Sequence, residues 1–358
     1  MSPGVTLAWG RVWTRAVIVP AWRRAAAVWI GTGIFGGVLF GPTGLHPRTI
    51  TTLALRDPAF GVALALAWAL VFLPIARDLV RADAARYLRS LPAPRWLPAL
   101  LGAIALVALQ LPWLLVWVVG EGARGLGVVA ACSVGIAAAA SWRPGPPHAG
   151  WPAWRDGAPA LRAIYVRALG RRAGDALLRG AGLSLIAGGT AGLFVRNNGL
   201  ADARAAVVGG SVLAVMLIPA QLGALRVLAD AHRASRWLAS SLGLASSSRA
   251  AALALVIAGV YLAAGAIGVG AALLVVGADG STAGWLAATA ACLAIGTALG
   301  VTRVIVMAED APTLPVRVVV GAILASAIAM LCLGVLDVPA ALIAMPTVGV
   351  WALWTARS

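Results

Sequence analysis

The sequence predicts an all-α protein, a polytopic integral membrane bundle of about ten transmembrane helices, and three observations predict it. Of its 358 residues, 61% are hydrophobic and 11% charged, where soluble chains carry about 25% charged residues. The apolar residues gather in runs long enough to cross a bilayer core, for which about 20 helical residues suffice. All 28 basic residues are Arg, and most lie in alternate loops. With a mean hydropathy of +0.93, the chain carries more apolar surface than a water-soluble fold hides.

The spans follow in order. The first, 25–41, is preceded by an amphipathic lead-in stretch from Arg11 to Arg24. The next are 59–76, 96–119 and 125–141. The fifth, 177–195, has Arg179 near its start, which leaves its clean apolar stretch short. Then come 205–225, 250–276, 284–302, 318–336 and 338–354, the last two separated by Asp337 alone and so forming a tight hairpin. This divides the chain into a first membrane unit of a lead-in helix and four spans (1–141), a cytoplasmic Pro-rich linker with a second lead-in helix (142–176), and a second membrane unit of six spans (177–358).

Charge sets the expected orientation. The N-terminus, 77–95, 142–179, 226–249, 303–317 and the C-terminus hold 23 of the 28 Arg and seven of the 12 acidic residues, so the whole net charge of +16 lies on one side. Arginine-rich loops stay cytoplasmic, which places both termini in the cytoplasm and the chain in the cell's inner membrane. Trp22, Trp96, Trp117, Trp142 and Trp351 fall near predicted helix ends, the depth an indole prefers. Basic charge spread over short juxtamembrane loops fits anionic lipid headgroups or an acidic partner, not nucleic acid. Arg11 and Arg15 interrupt the first apolar run and no small-residue cleavage site follows, unlike a signal peptide.

The order of elements recurs after about 150 residues. The stretch Arg11–Arg24 before the first span has a counterpart in Arg162–Arg172 before the fifth. After the second span comes Asp83-Ala-Ala-Arg-Tyr-Leu-Arg-Ser-Leu-Pro92, and after the sixth Arg233-Ala-Ser-Arg-Trp-Leu-Ala-Ser-Ser-Leu-Gly243. Each reads as a short helix with an aromatic and leucines on one face and arginines on another, stopped by Pro92 or Gly243. Two units of equal orientation make a parallel repeat about an axis along the membrane normal. Two interfacial helices made alike by composition remain the alternative.

Several chemistries are excluded. Without Lys there is no Walker A phosphate loop, no Schiff-base lysine and no lysine nucleophile. Cys132, Cys292 and Cys332 all lie in apolar runs, as packed structural thiols do. His46, His148 and His232 are read as scattered singly over loops, too few for a metal centre. The middles of the spans hold almost no ionisable groups, with Gln110 the main polar side chain of the third, which disfavours ion-coupled transport. The chain is therefore expected to be no enzyme and to hold no cofactor or metal. Gly33, Gly37 and Gly41, and Gly188 and Gly192, fall at helical spacing that favours close helix contact.

The stretch Arg77-Asp-Leu-Val-Arg-Ala-Asp-Ala-Ala-Arg-Tyr-Leu-Arg-Ser-Leu-Pro-Ala-Pro-Arg-Trp96 resembles a segment of permeases of the type-two ABC exporter class. Those permeases carry, after the second span, a short helix ending in a Leu–small–Pro pattern with a basic residue beyond, to which Leu91-Pro92 and Arg95 are similar. The resemblance implies that this is a coupling helix docking on a separate cytoplasmic ATPase, and that Arg11–Arg24 is a connecting helix. It implies ATPase docking by Arg86, Tyr87, Leu88, Arg89 and Leu91, and by Arg236, Trp237 and Leu238 of the second segment. ATP would be bound by that partner subunit. Asp78 or Asp83 approximates the family's acidic residue ahead of the helix, and the family's six-span unit fits the second half but not the four spans of the first. The expected function is the permease subunit of an ATP-driven exporter moving an amphipathic or lipid-like cargo. A non-transporting membrane scaffold or accessory subunit is the alternative, with lipid anchoring the competing role for the arginine helices. Assembly as a homo- or hetero-oligomer stays open.

Overall fold

A computed structural model describes residues 3–26, 28–29, 46–82, 87, 96–141, 157–198, 203–241, 243–277 and 280–307. Among them every regular element is helical. The chain divides into two compact units, Met1–Pro147 and His148–Ser358.

The first unit begins with α1 (Pro3–Trp13), a π-helical turn (Thr14–Ile18) and helix on to residue 26. Its buried stripe is Trp9, Trp13, Val17, Ala21 and Ala25, one residue in every four. A strict four-residue stripe drifts by about 40° per step on an α-helix, and the wider π turn takes back part of that drift.

Helix α2 (Pro47–Arg56) falls in a stretch expected to be loop. His46 caps it by accepting the Arg48 N–H at Nδ1, 3.3 Å. Asp57 then ends α2 and caps α3 (Pro58–Arg81), its Oδ1 accepting the N–H groups of Ala59 at 2.9 Å and Phe60 at 3.3 Å. Pro47 and Pro58 each stand in a first turn, where a missing N–H costs nothing. Helix α4 (Trp96–Leu109) and α5 (Leu111–Glu121) replace the straight third span with a pair bent by 57° at Gln110. Helix α6 (Ala123–Ser141) follows Gly122, whose φ of +60° makes the turn. Helix α2 rests on α5, where Thr51 fills the space a Cβ on Gly120 would need. The Thr51 and Thr52 hydroxyls donate to Glu121 Oε1 at 3.0 and 3.2 Å.

The second unit opens with α7 (Gly157–Arg172). Leu161, Tyr165 and Leu169 are buried at four-residue spacing, while Arg162, Arg167, Arg171 and Arg172 are exposed. Then come α8 (Gly174–Asn198), α9 (Ala203–Ala220), α10 (Leu222–Ala234), α11 (Arg236–Ser241), α12 (Ser246–Val276) and α13 (Gly280–Met307). Helices α9 and α10 form a second bent pair, 56°, with Gln221 at the bend, so the stretch expected as a straight sixth span, 205–225, is broken at Gln221.

The core of the second unit lies where α8 crosses α12. Gly188 meets the backbone of Gly268, and Gly192 that of Ala272, so neither leaves room for a side chain. The small-residue spacing seen in the sequence at 188 and 192 is therefore an interhelical contact.

Among the described residues, five helices are long and apolar enough to cross a membrane: Pro58–Arg81, Ala123–Ser141, Gly174–Arg196, Ser246–Val276 and Gly280–Met307. Counting each bent pair as one span raises this to seven. These correspond to the second through eighth expected spans. Most of the first, together with the ninth, the tenth, Gly33, Gly37, Gly41 and Cys332, lies outside the described residues.

Candidate functional site

The second segment expected to dock a partner is built on the α9–α10 bend. Pro219 lacks the N–H for the helix ladder, and Gln221 takes φ −100°, ψ 2° before α10 starts in a new direction. Helix α10 is amphipathic, with Ala224, Leu225, Leu228, Ala231 and His232 buried. Ser235 closes it, its N–H donating to the Ala231 carbonyl at 3.0 Å. One further turn and a half, α11, carries the candidate residues. Gly243, at φ +63°, terminates this segment, as expected of a glycine stop.

Within α11, Arg236 and Trp237 are exposed, Leu238 is half-buried, and Ala239 anchors the helix in the core. Trp237 is 69% exposed, which makes it the projecting apolar side chain of the segment. Three of the eight candidate docking residues thus share one short helix, with Arg236 and Trp237 at its surface.

The arm is tied to α7. Tyr165 Oη lies 2.9 Å from His232 Nδ1 and 3.5 Å from Ser235 Oγ, all three residues buried. Ser235 Oγ donates to the His232 carbonyl at 3.0 Å, and the Arg249 guanidinium donates to the same carbonyl at 3.2 Å. The sequence reading of His232 as a loop residue is corrected here: it is a helical residue only 2% exposed. His46 is likewise a helix cap, and His148 lies outside the described residues. Tyr165 and His232 were missed because neither has a distinguishing neighbour in the sequence. No cluster of three metal-ligating side chains occurs among the described residues.

In the first unit, Arg86, Leu88, Arg89 and Leu91 lie outside the described residues, and Tyr87 is exposed. Their approach is described. Helix α3 ends at Ala82, a non-glycine residue in the left-handed region at φ 46°. Arg24, in the lead-in stretch, pairs with Asp78 near the end of α3. Arg81 Nε donates to the Ala140 carbonyl of α6 at 3.3 Å. In both units, then, a side chain of the lead-in helix reaches the end of the helix that runs toward a candidate docking segment.

The α4–α5 bend holds a different set of groups. Gln110, at φ −86°, ψ 2°, precedes α5 without capping it, and Pro112 stands in the first turn. Trp68 Nε1 donates to Gln110 Oε1. Trp68 and Trp113 stack at 5.1 Å, Trp113 meets Trp117 edge-on at 5.7 Å, and Phe72 lies 4.2 Å from Trp68.

No family model, curated protein or solved structure matches the chain.

Proposed function

We propose that this chain is the permease subunit of an ATP-driven exporter, moving an amphipathic or lipid-like cargo while a separate cytoplasmic ATPase supplies the energy. In this reading the chain crosses the inner membrane ten times in two parallel units. Its arginine-rich loops and both termini face the cytoplasm. The ATPase docks on the segments around Arg86–Leu91 and Arg236–Leu238.

The observation that carries the reading is the construction of the α10–α11 arm. It continues from an apolar helix across a fixed bend, is held to α7 by a buried Tyr165–His232 bond, and ends in an exposed Arg236–Trp237 pair. An arm attached in this way transmits a push at its tip to the helices behind it. ATP-driven movement of the partner then favours one of two bundle packings, which is how a transporter alternates access. Arginine and tryptophan are also the side chains that dominate protein–protein hot spots.

The test is purification of the tagged chain from its native host in mild detergent, with identification of what co-purifies. The reading predicts a stoichiometric soluble ATPase, depleted when Arg236→Ala and Trp237→Ala are combined. Recovery with integral membrane proteins alone would favour a scaffold and overturn the permease assignment.

A further inference from the structure

We propose that the α4–α5 break is a ligand site, taking an apolar molecule that carries a neutral carbonyl acceptor, such as an ester or amide. The binding stands on this geometry alone; its role as a cargo site rests on the permease reading.

The first observation is a surplus of buried donors. Gln110 is 1% exposed and Trp68 occupies its Oε1, but its Nε2 has no partner. Trp117, 4% exposed, likewise holds an indole N–H group without a partner, whereas Trp113 has the Cys132 thiol beside it as a hydrogen-bond partner. Buried donors are normally satisfied, so Gln110 Nε2 and the Trp117 N–H point to an absent acceptor.

The second observation is the helix start. α5 begins at this point without a side-chain cap, and an uncapped helix N-terminus adds further donors and a positive dipole end. Broken helices in membranes place ligand sites at such ends.

The third is the distance of Gln110 from charge along its own helix and that of its partner. Gln110 stands about 16 Å along the helix from Glu121, and Trp68 about 13 Å from Arg77, at 1.5 Å per residue. A neutral donor so placed suits a neutral acceptor better than a carboxylate, whose burial unpaired is costly. Trp68, Phe72, Trp113 and Trp117 supply apolar faces for the rest of the molecule. That depth also lies far from the ester groups of the surrounding bilayer lipids, which remain at the interface.

Among the described residues α5 is packed against α2 and α6, and α4 exposes Leu100, Ile104 and Val107.

The experiment uses the full chain in dodecyl maltoside, which has no carbonyl. Methyl 9,10-dibromostearate is titrated while tryptophan quenching is read, with 9,10-dibromooctadecane as the acceptor-free control. The ester is expected to quench saturably and the alkane only by linear partitioning. Gln110→Leu and Trp117→Phe should each raise the ester's half-saturation about threefold to tenfold. Trp117→Phe keeps the aromatic body, so it decides the matter if Gln110→Leu does not fold. Non-saturable quenching, equal curves for ester and alkane, or an unchanged half-saturation in the folded variants would overturn the site. No ATPase enters this assay: an empty site leaves the docking proposal standing, and a filled site without any ATPase partner belongs to a non-transporting ligand-binding protein.

Discussion

Tyr165 Oη lies 2.9 Å from His232 Nδ1, although 67 residues separate them in the chain. This bond joins α7 to α10 just before the exposed Arg236 and Trp237, and both side chains are buried, at 0% and 2% exposure. A buried hydrogen bond is costly to break from one side, because the remaining partner keeps its desolvation penalty.

Tyr165→Phe retains the ring packing and removes the hydroxyl that bonds His232 Nδ1. We expect a loss of about 1 kcal/mol, measurable as a shift in the denaturant midpoint of the purified chain. In the permease reading, transport should fall more than ATPase docking does, since the arm's tip is unchanged while its anchor is weakened.

Arg24→Ala should behave differently. The Arg24–Asp78 pair links comparable elements of the first unit, but its side chains are 59% and 42% exposed. Exposed ion pairs contribute little. The same denaturation measurement should shift by less than about 1 kcal/mol, and a larger loss would mean that this pair is a structural anchor.

Two glycines separate crossing from spacing. Gly188→Ala drives a methyl into the Gly268 backbone, whereas a Cβ at Gly270 meets nothing within 4 Å. Overpacking of this kind costs about 1–3 kcal/mol. Gly188→Ala should lower folded yield and stability, while Gly270→Ala should leave both unchanged or slightly improved. Equal effects at the two positions would contradict the α8–α12 crossing.

Asp57→Ala removes the cap of α3, whose Oδ1 accepts two backbone N–H groups. The expected cost is about 1 kcal/mol. Amide exchange should rise first at Ala59 and Phe60, leaving the middle of α3 protected.

Hydropathy made the long helices legible, because a run of apolar residues needs no knowledge of its neighbours. It also hid the breaks. A sliding average over 96–119 passes smoothly through Gln110-Leu-Pro112, and one over 205–225 passes through Pro219-Ala-Gln221, where the backbone turns. A glutamine two residues from a proline in an otherwise apolar run was the available signal. Helix α2 escaped because its buried residues, Ile50, Thr51 and Ala54, include only one large apolar side chain. The arginines around His232 made it look solvent-exposed, and its burial depends on Tyr165, a partner no local pattern names. Of the docking residues, the second cluster falls on a helix that ends at its glycine, while Arg86, Leu88, Arg89 and Leu91 lie outside the described residues.

Trp237 separates the two roles open to the arginine helices more directly than any other residue. Replacing it with photoreactive benzoylphenylalanine and irradiating native-host membranes reports what covers the tip of α11. The account predicts a cross-link to a soluble nucleotide-binding protein. Cross-links to lipid alone would contradict it.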